Sequence, residues 1–153
     1  MEKLFKRKCR GHLATSVLMN RIECSQSTMN ELLEFTVESI AEEGLTSLRL
    51  SEFFAKVEID MNFLERLASK TANLKQLTIR DMNRASEQVR EALVHMNVQI
   101  LRNPAMPITS LWLSRLGSAE EGDQLLRAIA ASNITSLKYL NLGDNKSWWT
   151  NNT

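Results

Sequence analysis

Cys9-x-x-His12 is the residue pair in this chain with the spacing of metal ligands. A structural zinc site is closed by a second pair of ligands, and Cys24 is the one remaining thiol. The pair therefore reads as a thiol and an imidazole on a surface arm. The other histidine, His95, has no Ser, Cys or carboxylate at a spacing suited to a general base or an activated nucleophile. Glu42-Glu43 and Glu120-Glu121 fall where helix ends are expected, and capping and solvation account for them. No glycine pattern resembles a phosphate-cradling loop. Catalysis needs reactive groups that converge in one pocket, and the sequence supplies no such set. The expectation is a non-enzyme, with no metal and no cofactor.

The chain of 153 residues is long enough for one domain with a substantial core. With 43% hydrophobic and 24% charged residues and few Gly or Pro, it is neither disordered nor fibrous in composition. No apolar run is long enough for a transmembrane helix, and the N-terminus lacks the apolar stretch of a secretory signal. Two cysteines do not make a disulfide framework, which suits reduced thiols in the cytoplasm.

Charge is unevenly placed. Residues 1–22 carry six basic groups (Lys3, Lys6, Arg7, Lys8, Arg10, Arg21) against Glu2 alone, and residues 23–43 carry six glutamates with no Lys or Arg. A solvated basic arm beside a solvated acidic helix face is the first reading; a mitochondrial targeting sequence is the second. A nucleic-acid or anionic-membrane contact is the third, disfavoured by an overall charge of +1 and by the lack of interleaved aromatics.

What the chain has in place of reactive groups is a repeated apolar pattern. Leu45-x-x-Leu48-x-Leu50-x-x-Phe53 is followed by Leu74-x-x-Leu77-x-Ile79-x-x-Met82. Next come Ile108-x-x-Leu111-x-Leu113-x-x-Leu116 and Leu137-x-x-Leu140-x-Leu142-x-x-Asn145. Their starts are 29, 34 and 29 residues apart. A fixed period of this length is the signature of an array in which each unit buries its apolar face on its neighbours. Within each copy the period of two marks a short strand, with Leu48/Leu50, Leu77/Ile79, Leu111/Leu113 and Leu140/Leu142 inward. Between copies lie helical stretches. Thr28-x-x-Glu31 and Ser118-x-x-Glu121 have capping-box spacing. Asp60 and Ser86 are the other expected caps, and Gly44 closes the first helix. Strand, helix, strand in succession requires parallel strands. The longer third interval is assigned to an extension within residues 98–107.

These repeats resemble the leucine-rich-repeat family, and within it the ribonuclease-inhibitor-like class, whose units run to about 29 residues with a full helix. The resemblance covers residues 45–145. It implies an α/β solenoid with parallel strands on the concave side and helices on the convex side. It also implies a role as a binding scaffold, with no partner specified.

In such a fold the residues between the inward leucines line the concave face. They are Ser47, Arg49, Ser51 and Glu52; Gln76, Thr78, Arg80 and Asp81; Ser110, Trp112, Ser114 and Arg115; and Tyr139, Asn141, Gly143 and Asp144. Most are polar, as a solvated face requires. Trp112 and Tyr139 stand out on adjacent strands, near Arg80 and Arg115. Trp, Tyr and Arg dominate binding hot spots because they bury much area at low entropic cost. Arg49, Arg80, Trp112, Arg115, Tyr139 and Asp144 are therefore the candidate partner-binding residues. The plainer reading is that Trp112 covers a neighbouring side chain or packs on Tyr139.

Residues 1–27 are expected to form a basic arm and cap, residues 28–147 the repeat domain and residues 148–153 a tail or partial cap. Leu13-x-x-Ser16-x-Leu18 is a degenerate match to the strand pattern, and a non-repeating cap is preferred for that stretch. One of Trp148 and Trp149 is expected to cover the last repeat near Leu126, Ile129 and Leu142, the other to invite self-association. The functional expectation is a protein–protein interaction module that binds through the concave face. The alternative is a structural subunit of a larger cytoskeletal or organellar assembly.

Overall fold

The computed structural model describes residues 14–20, 23–51, 58–116, 118–132 and 134–143. In chain order these form β1 (Ser16–Asn20), α1 (Gln26–Glu38), β2 (Ser47–Ser51), α2 (Met61–Ala68), β3 (Gln76–Arg80), α3 (Glu87–Leu101), β4 (Ser110–Ser114), α4 (Ala119–Ala131) and β5 (Tyr139–Asn141). A short 3-10 helix, Met82–Arg84, follows β3. The strands make one five-stranded sheet in the order β1-β2-β3-β4-β5, and every neighbouring pair is parallel. The architecture is α/β.

Parallel strands that are neighbours in sequence need a crossover, and one helix serves each time. The register follows from the apolar alternation. Val17, Leu48, Leu77, Leu111 and Leu140 align in one row, and Met19, Leu50, Ile79 and Leu113 in the next. Apart from Leu140 these side chains are buried, together with Met29, Leu33 and Val37 from α1, Phe63, Leu64 and Leu67 from α2, and Val89, Leu93, Met96 and Ile100 from α3. One face of the sheet thus meets the helices. The helices pack in chain order, α1 on α2, α2 on α3 and α3 on α4.

One carbonyl per unit sets the step between units. Thr15 O accepts from the amides of Thr46 and Ser47 (2.7 and 3.3 Å), and Thr46 O from Lys75 and Gln76 (2.9 and 3.1 Å). Lys75 O accepts from Thr109 and Ser110 (2.9 and 3.1 Å), and Thr109 O from Lys138 and Tyr139 (both 2.9 Å). Each strand therefore enters the sheet at the same height, although the strand starts are 31, 29, 34 and 29 residues apart. The long interval is taken up by the 15 residues of α3 and the loop that follows it.

The caps are mostly where the sequence places them. Asp60 accepts from Asn62 N, and Ser86 from Val89 N. Ser118 and Glu121 form a complete capping box: Glu121 N donates to Ser118 Oγ (3.3 Å) and Ser118 N to the Glu121 carboxylate (2.7 Å). The buried Glu121 also meets Arg90 Nε at 3.3 Å, while Arg90 donates to Ala85 O at 2.7 Å, so the start of α4 is tied to α3. Between α1 and α2, Arg66 makes a hydrogen-bonded pair with Glu34 at 2.7 Å, which raises the Arg66 pKa above the usual arginine value.

Four expectations are corrected. The helix that Gly44 is expected to close ends at Glu38 with Ser39 as its C-cap, before Gly44 is reached. The cap of α1 is Ser25, whose side chain accepts from Thr28 N; Thr28 lies inside the helix. The helix starts earlier because Gln26 is held from outside it, donating to Glu58 O (2.8 Å) and accepting from Glu58 N (2.9 Å). Residues 16–20 are a strand in the sheet and not a cap, and its phase is one residue away from the Leu13-x-x-Ser16-x-Leu18 match. The true pattern is Ala14-x-x-Val17-x-Met19, the same offsets as Leu45-x-x-Leu48-x-Leu50. A shift of one residue exchanges the two faces of a strand, so Leu18 is 62% exposed on the opposite side. Finally, Leu140 occupies the inward row yet is 45% exposed. The cause is its place on a three-residue strand beyond which no described strand or helix follows.

Candidate functional site

The face of the sheet turned away from the helices is laid out by the same register. Its central row reads Leu18, Arg49, Thr78, Trp112, Asn141 from β1 to β5. The row on one side is Ser16, Ser47, Gln76, Ser110, Tyr139; on the other side it is Asn20, Ser51, Arg80, Ser114. Of the candidate residues, Arg49, Arg80, Trp112 and Tyr139 lie on this face, and Arg115 follows the end of β4. Asp144, together with Glu52, Cys9, His12, Trp148 and Trp149, lies outside the described residues.

Trp112 is half-buried, and its neighbours explain why. The Arg80 guanidinium carbon sits 5.3 Å from the centre of the Trp112 ring, within range of a cation–π contact. The indole N–H donates to Ser114 Oγ on the same strand at 3.2 Å. Tyr139 pairs in register with Ser110, so it is diagonal to Trp112. It is 50% exposed and its hydroxyl accepts from Asn141 Nδ2 at 3.3 Å. Trp112 is thus covered by Arg80 on one side, while Tyr139 presents its ring to solvent.

Arg80 is fixed from a second direction. Asp81 takes Arg80 Nε at 3.1 Å on one carboxylate oxygen and Arg115 at 3.0 Å on the other. Asp81 and Arg115 both adopt left-handed backbone, with φ of 58° and 50°. Such turns need compensation for residues other than Gly. Here Asp81 N donates to Ser114 O (3.1 Å) and Met82 N to Arg115 O (3.0 Å), so the two turns lock together where β3 and β4 end. Arg49 is exposed in the central row and makes no ion pair among the described residues.

The expectation of an evenly solvated face needs amendment. Ser51, Thr78 and Ser114 are buried although they point away from the helices. Thr78 stands in register between Arg49 and Trp112, and Ser51 and Ser114 flank Arg80. Short side chains between long ones are shielded by them. Ser51 Oγ is satisfied by Asn20 Oδ1 at 2.8 Å. Sequence reasoning missed Leu18 and Asn20 on this face; the Ala14-x-x-Val17-x-Met19 offset was the signal for both.

Elsewhere, Asn97 on α3 is buried, donating to Leu93 O at 2.7 Å, while its Oδ1 has no hydrogen-bond partner among the described residues. It borders a void of about 10 Å³ beside Arg90, Leu116 and Leu125. A shallow groove of about 370 Å³ runs between the ends of α2 and α3, lined by Glu65, Thr71, Gln99 and Met106 among others. His95 is exposed and its Nε2 lies 2.9 Å from Gln99 Nε2. Cys24 is a half-buried free thiol. Among the described residues no cluster of three or more His, Cys, Asp or Glu is arranged to hold a metal, and no helix is long and apolar enough to cross a membrane.

Comparison with protein-family models, curated proteins and solved structures finds no match to this chain.

Proposed function

We propose that the chain is a leucine-rich-repeat solenoid of the ribonuclease-inhibitor-like type, without catalytic activity, that binds a protein partner through the open face of its sheet. The repeated carbonyl step and the matching strand register support the solenoid reading. The cytoplasm is the proposed setting, on the strength of a cysteine content too low for a disulfide scaffold.

The observation that carries the binding reading is the Arg80–Trp112 stack beside the exposed Tyr139 ring. A large aromatic held in place by a guanidinium and a hydroxyl loses little freedom when a partner covers it. That is the energetic profile of a binding anchor. The test is a pull-down from the source cell with the native chain and with a Trp112→Ala, Tyr139→Ala double variant. A protein retained by the native chain and lost by the variant supports the reading; equal capture by both overturns it.

One observation favours a structural subunit instead. Leu140, in the inward row, is 45% exposed at the β5 edge, an apolar margin that a neighbouring subunit could cover. In that case Leu140→Asp would abolish capture of the same protein and the face variant would not.

A further inference from the structure

We infer that the partner offers an acidic segment to a line of arginines across the open face. The inference rests on the reading of that face as the docking surface, and it names the chemistry that the surface takes. Arg49 lies in the central row of β2, Arg80 one strand across and one row over, and Arg115 just past the end of β4. Diagonal positions on neighbouring strands are roughly 7–8 Å apart, close enough for one extended segment to reach in sequence. Among the described residues the charged groups of this face are Arg49, Arg80 and Arg115 against the single carboxylate of Asp81, so cations outnumber acids there.

Asp81 already displays the recognition chemistry. Its carboxylate bridges two guanidiniums, holding Arg80 through Nε. The terminal amino groups of Arg80 make no hydrogen bond within the described residues, and neither does the Arg49 guanidinium. A guanidinium fixed at Nε and stacked on an indole has its planar donor edge set before a ligand arrives. That edge matches a carboxylate with two parallel hydrogen bonds. The cations on these strands are all arginine; lysine, a point charge without the planar fork, appears on none of them. Leu18, Trp112 and Tyr139 supply apolar area beside the charges. The fitting partner is therefore an acidic stretch with apolar residues between its carboxylates.

Nucleic acid fits less well. Arg80 occupies a face of the Trp112 ring that a base would need for stacking. A phosphate track would also require more cations than the described residues of this face carry.

The full chain is applied to an array of synthetic decapeptides of graded Asp and Glu content at about 0.1 M salt, where surface charges a few ångströms apart still interact. The expected result is retention that rises with acidic content. Arg49→Glu and Arg80→Glu should each weaken binding of the best peptides roughly tenfold or more and shift preference toward Lys-rich peptides. Because Arg49 is exposed and makes no ion pair among the described residues, Arg49→Glu is expected to keep the fold, which far-UV circular dichroism checks. Arg80→Lys keeps the charge but removes the fork, and should weaken binding several-fold.

Equal binding of acidic peptides by the native chain and Arg49→Glu overturns the inference. Retention without acidic bias that is lost in the Trp112→Ala, Tyr139→Ala variant overturns it too, but leaves the docking face standing. Acidic retention lost in Arg49→Glu and unchanged in the aromatic variant upholds the arginine site and discards the aromatic anchor. Preference for labelled oligothymidylate over every peptide overturns the inference in favour of nucleic acid.

Discussion

Gly44 ends the segment after α1 with φ of +87°, and a Cβ built there would lie 2.5 Å from Lys70 O. Two independent costs meet at that position, a left-handed backbone and a backbone clash. Gly44→Ala should lose about 2–3 kcal/mol in urea unfolding; a loss within a few tenths would mean that the two units do not approach so closely. Asn97 predicts the opposite sign. Its buried Oδ1 lacks a partner among the described residues, so Asn97→Leu removes an unsatisfied acceptor and fills part of the neighbouring void. It also gives up the hydrogen bond to Leu93 O. Removing a stranded polar group is worth about 1–3 kcal/mol and a neutral hydrogen bond about 1. The net expectation is an unchanged or higher unfolding midpoint.

The elements differ in ways that equal sequence patterns hide. Leu111 and Leu140 hold the same place in their repeats and are partners in register, yet Leu111 is fully buried and Leu140 is 45% exposed. Leu111→Ala should cost about 2–5 kcal/mol through the cavity it opens in β4. Leu140→Ala should cost less than about 1 kcal/mol, since much of its side chain is already in water. Similar losses at both sites in urea titrations would show β5 to be covered in solution. For α1 the decisive residue is the cap: Ser25→Ala should destabilise by about 1 kcal/mol. Glu31→Gln should change little, because Glu31 is exposed and Thr28 is not the cap.

Stability should be graded across the sheet. β3 has a five-residue partner on each side, whereas β5 offers three residues to β4 and has no described partner on its other edge. The local free energy of opening follows paired backbone and buried apolar contact. Native-state hydrogen exchange should therefore be slowest at Leu77–Ile79 and fastest, among strands, at Tyr139–Asn141. Equal protection at both ends and the centre would point to a cover over β5. The core residues from β1 to α4 form a single cluster. Urea unfolding followed by far-UV circular dichroism and by tryptophan fluorescence should accordingly give one coincident transition.

Strand positions, pairing direction and helix order were legible in the sequence from residue 45 onward, because alternation sets faces and a constant spacing sets neighbours. Leu48, Leu77 and Leu111 align by their spacing alone. The first strand was legible too, but only to a reader who lets Ala14, Val17 and Met19 stand for three leucines; Leu18 draws the eye to the wrong phase. Ser118 and Glu121 declared their capping box in full. Ser25 did not outrank Thr28, because what selects it is Gln26 gripping the backbone of Glu58, a residue 32 positions away. The arginine–aromatic face shows the same division. That Arg49, Arg80, Trp112 and Tyr139 share a face is fixed by the period of two. That Arg80 lies on Trp112, that Asp81 holds Arg80 and Arg115 together, and that Thr78 vanishes between long neighbours are matters of side-chain reach across strands. Local sequence determines which way a residue points; only the assembled sheet decides what it meets there.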